Sequence, residues 1–200
     1  METIEAFNQA LFLMINGTPM TPPWLVSAAL VLADYMVWLI PLLMIAMWLS
    51  GSNRQRELAI RACLLALLAL GGNQLIGLVW SHPRPFAIGL GHAFLPHAPD
   101  SSFPSDHATV FASIALTLLI GRMRWLGGMT LVVGIAVAWA RVFLGVHFPL
   151  DMIGAVAVTC IAYAVMAPFW RMSGPTVTRL AIMLYRTLLA WPINRGWLRA

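Results

Sequence analysis

An all-α fold is predicted, a polytopic membrane helical bundle of about five transmembrane helices with interfacial amphipathic helices at both ends. Three observations predict it. Hydrophobic residues make up 60% of the 200-residue chain and charged residues only 10%, where a soluble globule carries about 25% charge. Five apolar runs approach the roughly 20 residues that a bilayer crossing needs. Every positive side chain is an arginine, and the arginines gather at the ends of those runs. The formal charge of +5 therefore reads as membrane topology, and no nucleic-acid partner is expected.

The chain reads as one integral-membrane domain over 1–200, with an interfacial helix in 1–20, a transmembrane core in 21–170 and a cytoplasmic amphipathic tail in 171–200. In the first stretch Ile4, Phe7, Leu11 and Met14 recur at helical spacing, with Glu5, Asn8 and Gln9 elsewhere on the helix. Such a helix suits the membrane interface, and packing against the bundle fits it equally well. The spans fall near 24–50, 58–80, 105–121, 126–143 and 148–170. Pro22-Pro23 opens the first and Gly51-Ser52-Asn53 closes it. The third and fourth are close to the lower length limit. Residues 81–104 form the one long loop, rich in Pro, His and Gly, and long ordered loops are usually functional. Beyond it all, Val177, Leu180, Leu184, Leu188 and Trp191 make one stripe, with Arg179 and Arg186 on another face. A sixth span over 176–191 would be short and would carry both arginines in its interior. Cys63 and Cys160 sit inside apolar segments, so no disulfide or metal framework is expected. The start Met1-Glu2-Thr3-Ile4-Glu5 lacks the basic region of a cleaved signal peptide, so the chain is expected to stay whole.

Arginines also orient the bundle. Arg54, Arg56 and Arg61 follow the first span, Arg122 and Arg124 the third, and five more occupy 171–199. With those ends in the cytoplasm, only Arg84 and Arg141 lie outside, which gives an external N-terminus and a cytoplasmic C-terminus. All five histidines then share the outer face, because they fall between residues 82 and 147.

That face carries the chemistry. In His147-Phe148-Pro149-Leu150-Asp151 the proline suits the first turn of a helix. Asp151 can reach back from that turn to the imidazole, fix its tautomer and leave Nε2 free as a nucleophile. Taken alone, Asp151 could equally be a plain helix cap. Ser105, after Pro104, reads as the N-cap of the next helix. The free N–H groups of that helix form a ready phosphate site, to which Ser105 can add its hydroxyl. His107 could protonate a leaving oxygen. Arg84 and Arg141, as planar forks beside two imidazoles, suit bidentate phosphate binding better than mere snorkelling.

These blocks are similar to the motifs of the type 2 phosphatidic acid phosphatase family, K-x6-R-P, P-S-G-H and S-R-x5-H-x3-D. Arg84-Pro85, Pro104-Ser105, His107, Arg141, His147 and Asp151 all fall in place over roughly 60–165. The resemblance implies a reaction without metal or other cofactor, through a phosphohistidine on His147, with His107 as acid to the leaving group and base to the incoming water. Three positions depart from the pattern. Gly77 stands in place of the lysine, Asp106 in place of the glycine and Ala140 in place of the serine. The P-S-D-H form, with His82-Pro83-Arg84-Pro85-Phe86, resembles the bacitracin-resistance branch, whose members are undecaprenyl-pyrophosphate phosphatases. A polyprenyl diphosphate lipid in a bacterial cytoplasmic membrane, met from the periplasmic or exterior side, is the implied substrate. Asp106 could hydrogen-bond His107 or shape a diphosphate pocket, and beside an anionic substrate it would need an arginine partner. Phosphatidic acid or phosphatidylglycerophosphate hydrolysis, transfer of phosphate between lipids, and anion transport are the alternatives.

Weaker signals remain. His92-x4-His97, with His82 and Asp100 in the same loop, is an unspecific spacing, and no metal is expected there. Asp34 lies inside the first span and is a functional candidate by default, but is read as a buried partner for a polar group such as Asn73 or Gln74. Trp24, Trp38 and Trp80 read as interfacial or packing aromatics.

Overall fold

Apolar runs become helices in the order expected, and the computed structural model describes residues 2–199. Helix α1 spans Glu2–Ile15. Helices α2 (Pro23–Tyr35) and α3 (Leu39–Leu49) are joined by one 3-10 turn at Met36–Trp38 and make a single 27-residue crossing. Then follow α4 (Asn53–Val79), α5 (Asp106–Ile120), α6 (Arg124–Phe143), α7 (Pro149–Leu188) and α8 (Ala190–Asn194). A capping box starts α4: Ser52 Oγ accepts from the Gln55 N–H at 3.4 Å, and Gln55 Oε1 accepts from the Ser52 N–H at 2.7 Å. The 81–104 loop holds one 3-10 turn at Pro85–Ile88.

Four stretches are long and apolar enough to cross a membrane, namely Pro23–Leu49, α4, α6 and α7. The fifth, α5, has 15 residues and rises only about 22 Å at 1.5 Å per residue, short of a hydrocarbon core of roughly 30 Å. It has no need to span lipid by itself, because it packs against α4, α6 and α7 together. Phe111, Ile114 and Leu118 of α5 meet Leu58 and Ala62 of α4, Met44 of α3 and Val137 of α6. Glycine lets α6 approach closely. A Cβ on Gly134 would lie 2.7 Å from Phe111 Cβ, which is the small-residue logic of helix packing in lipid. The short central helix thus places its N-terminus at one end of the bundle interior, where the site forms.

Two expectations are corrected, and a third is met in both its forms. No helix boundary exists at residue 170. α7 runs unbroken for 40 residues through Pro168 and Pro175, so the amphipathic stripe belongs to its distal half and only α8 is separate. That half is held to the bundle: Tyr185 donates to the Arg199 carbonyl at 2.8 Å, and buried Arg56 donates to the same oxygen while lying 4.5 Å over the Tyr185 ring. Asp34 is exposed on α2 and does not pair with Asn73 or Gln74, which bond to Asp106. For α1 both readings hold at once. Phe12 is buried edge-on to Phe148 at 5.4 Å, while Ile4, Phe7 and Met14 face outward.

Candidate active site

Between the end of α4, the 81–104 loop, the start of α5 and the α6–α7 turn lies a cavity of about 300 Å³. Arg84, His97, Asp100, Asp106, His107, Arg141 and His147 line it, with Asn73, Gln74 and Gly77.

The α6–α7 turn explains how His147 is held. Gly145 takes φ +83°, and a Cβ there would come within 2.3 Å of the His92 carbonyl oxygen, so only glycine fits. Phe148 is extended and Pro149 opens α7. Asp151 reaches back, and its Oδ2 accepts from the Phe148 N–H at 2.8 Å, from His147 Nδ1 at 3.1 Å and from the Ser102 hydroxyl. His147 and Asp151 are 2% and 1% exposed. On its other edge, His147 Nε2 lies 3.2 Å from Arg84 Nη1. A guanidinium can only donate, so Nε2 carries the lone pair and Nδ1 the proton. Burial pushes the imidazole below its ordinary pKa and the nearby arginines add to this; Asp151 pulls upward without overcoming them. The ring is neutral, with Nε2 as its unprotonated nitrogen, and it lines the cavity.

Two arginines meet this imidazole in different states. Arg84 is largely engaged by the protein: Nε donates to Asp100 Oδ1 at 2.8 Å, Nη1 to the Val146 carbonyl at 2.8 Å and Nη2 to the Ser101 carbonyl at 3.3 Å, which leaves one Nη2 N–H without a partner among the described residues. Burial pushes the Asp100 carboxyl upward, but the bond and charge of Arg84 outweigh it and hold the group below the usual range. Arg141, at the end of α6, is 3% exposed and makes no hydrogen bond or ion pair among the described residues, with a buried Nε lacking any partner. A buried charge left unpaired costs several kcal/mol. An anion in the cavity would remove that cost. His107 lies on the same wall, partly buried and without a hydrogen-bond partner among the described residues.

At the α5 N-terminus, Ser105 is the N-cap, accepting from the Ala108 N–H at 3.5 Å. It is fully buried and lies behind the cavity wall, not in it. Asp106 finds amide donors in place of an arginine: Asn73 Nδ2 at 2.8 Å and Gln74 Nε2 at 3.4 Å. It ties α5 to α4 at the cavity rim. Gly77 lines the cavity and leaves space where a longer side chain would stand.

Arg84, Asp106, His107, Arg141 and His147 thus share one cavity, with Ser105 and Asp151 directly behind it. Sequence reasoning missed Ser102, which braces the carboxylate, and the Arg84–Asp100 pair. It also missed Asn8 and Asn16 of the α1 region. Asn8 Oδ1 accepts from the Leu150 N–H at 3.1 Å, while Asn16 bonds both backbone groups of His92 and the Phe143 carbonyl. His92 and His97 diverge: the first ring packs on Phe94 and the second faces His147 at 6.5 Å. Burial lowers the His97 pKa.

Known proteins resemble this chain in sequence and in fold. The profile of the PAP2 superfamily matches residues 58–175. YbjG of Escherichia coli (strain K12) is 37% identical over 98% of this chain and 99% of its own. The undecaprenyl-diphosphatase BcrC of Bacillus subtilis (strain 168) is 30% identical over 91% of this chain and 93% of its own. Among solved structures, LpxE of Aquifex aeolicus superposes with a TM-score of 0.63 at 23% identity, covering 81% of this chain and 95% of that one. The PAP2-type phosphatidylglycerolphosphate phosphatase of Bacillus subtilis gives 0.56 at 22% identity, covering 84% and 87%. These two establish a shared fold. With the motif blocks gathered around one cavity and the profile spanning the helices that build it, the chain belongs to the PAP2 superfamily.

Proposed function

We propose that this multi-pass membrane protein is an undecaprenyl-diphosphate phosphatase that cleaves the terminal phosphate of a polyprenyl diphosphate and so recycles the lipid carrier of cell-wall synthesis. One observation carries the reading: the buried, unpartnered Arg141 guanidinium beside a neutral His147 whose Nε2 points into the same cavity. The relatives' names supply the lipid, since BcrC of Bacillus subtilis is an undecaprenyl-diphosphatase.

The steps follow from the groups present. His147 Nε2 attacks the terminal phosphorus, and the bond from phosphorus to the bridging oxygen breaks. His107 gives its proton to the departing lipid monophosphate. Arg141, Arg84 and the free N–H groups at the start of α5 hold the equatorial oxygens, since phosphoryl transfer depends chiefly on positioning and charge. Asp151 stabilises the imidazolium character that builds on His147. His107 then takes a proton from water, whose oxygen attacks phosphorus and breaks the phosphorus–nitrogen bond. An apolar groove of about 500 Å³ with Ala108, Val142 and Pro149 in its lining suits the isoprenoid chain.

Ten of the twelve arginines lie at the ends away from the cavity, which supports a cavity facing the periplasm or exterior of a bacterial cytoplasmic membrane and a C-terminus in the cytoplasm. The test is phosphate release by the full-length protein in detergent from undecaprenyl diphosphate, phosphatidic acid and phosphatidylglycerophosphate at matched concentration. The diphosphate is expected to turn over fastest, with His147→Ala inactive. Preference for either monophosphate would reassign the substrate.

A further inference from the structure

At the end of the bundle away from the active site lies a second groove, with three arginines in its lining. Helix α4 and the distal half of α7 part there around a cavity of about 710 Å³, lined by Arg54, Arg179, Arg186, Thr178, Ile182 and Met183 among others. Asn53, which opens α4, precedes Asn73 of the catalytic cavity by twenty residues on one continuous helix. At 1.5 Å per residue that is about 30 Å, the thickness of a bilayer core. The groove therefore sits at the other membrane interface.

Its charge is not neutralised from within. Arg179 and Arg186 are exposed and make no ion pair or hydrogen bond among the described residues, and Arg54 donates only to the Gly121 carbonyl, at 2.8 Å. The one acid in the lining, Glu57, accepts from Trp170 Nε1 at 3.4 Å. Thr178 is an independent sign. The hydroxyls of Thr117, Thr130 and Thr187 each donate to the carbonyl one turn earlier, at 2.9, 2.8 and 3.0 Å. That of Thr178 is buried with no partner among the described residues, and the residue is 8% exposed on the groove wall. Buried hydroxyls in native proteins almost always find a partner.

We propose that this groove binds the headgroup of an anionic phospholipid from the leaflet opposite the active site. Its phosphate lies between Arg179 and Arg186, where rotation of the Thr178 side chain about χ1 turns the buried hydroxyl toward it, and its acyl chains follow Ile182 and Met183. Basic clefts between helices at a membrane interface recognise lipid phosphates in this way. No catalytic group takes part, so the site stands or falls separately from the reaction.

Native mass spectrometry of the full-length protein tests it, with phosphatidylglycerol or phosphatidylcholine of identical acyl chains added to the detergent. The wild type is expected to retain one phosphatidylglycerol in preference to phosphatidylcholine. The R179Q/R186Q double variant should lose affinity by about fivefold per arginine, and Thr178→Val by about five- to tenfold. The R171Q/R195Q variant, equal in charge but outside the groove, should bind like the wild type. Undiminished retention in R179Q/R186Q overturns the proposal, as does equal loss in R171Q/R195Q, which would mean diffuse charge attraction. Displacement of the lipid by millimolar inorganic phosphate also overturns it, assigning the groove to a soluble anion.

Discussion

Asp151 Oδ2 collects three donors, from His147, Phe148 and Ser102, and this leaves the imidazole proposed as nucleophile a single tautomer. Its pKa is held below the ordinary value of about 6.5. Protonation removes the attacking lone pair, so kcat/KM should fall as pH drops through that depressed value, with the acid limb centred below 6.5. Asp151→Asn takes away the group that pulls the pKa up. A pH–rate profile of that variant should show the limb displaced still lower, with kcat down by about 10²–10⁴-fold. Ser102→Ala should cost about tenfold in kcat and leave KM unchanged, because a hydrogen bond to a charged group is worth about 1.5 kcal/mol. Steady-state kinetics check both. The His147–Asp151 pair was legible because a four-residue spacing with a proline between is a local geometry. Ser102 was not, since it meets Asp151 from 49 positions away and a lone serine in a polar loop has no pattern to read.

Helix α1 lies outside the part of the chain matched by the family profile, yet its region braces both loops that line the cavity. Asn8 satisfies a first-turn N–H of α7, and Asn16 joins the 81–104 loop to the end of α6. Asn8→Leu strands that N–H, and thermal unfolding in detergent should report a loss of about 1–3 kcal/mol. Kinetics on the same variant should show kcat falling more than KM, the mark of a displaced nucleophile. The sequence revealed the apolar stripe of α1 but not this role, because the contacts are single amides on its other face. Helix α5 was legible as a short span, while its burial on all sides depends on neighbours distant in sequence. The continuity of α7 past residue 170 was not legible, because the helix carries Gly174 and Pro175 in its interior. In the fold Gly174 packs on the Trp170 ring and the helix continues.

Across the whole bundle, charge separates from chemistry: the cavity lies at one end of α4 and most arginines at the other. Single cysteines in a Cys63→Ala, Cys160→Ala background check the orientation. In intact cells an impermeant maleimide should label His92→Cys, and should reach Arg195→Cys only after permeabilisation. The separation of the arginines from the motif blocks was readable from the sequence, whereas the convergence of those blocks on one cavity required the three-dimensional fold. The most direct measurement is capture of the covalent intermediate. Full-length protein given undecaprenyl diphosphate labelled in its terminal phosphate is quenched in alkali, digested and sequenced by mass spectrometry. The label should sit on His147, should accumulate in His107→Asn and should vanish in His147→Ala. Label on another residue, or phosphate release that persists in His147→Ala, would contradict the mechanism.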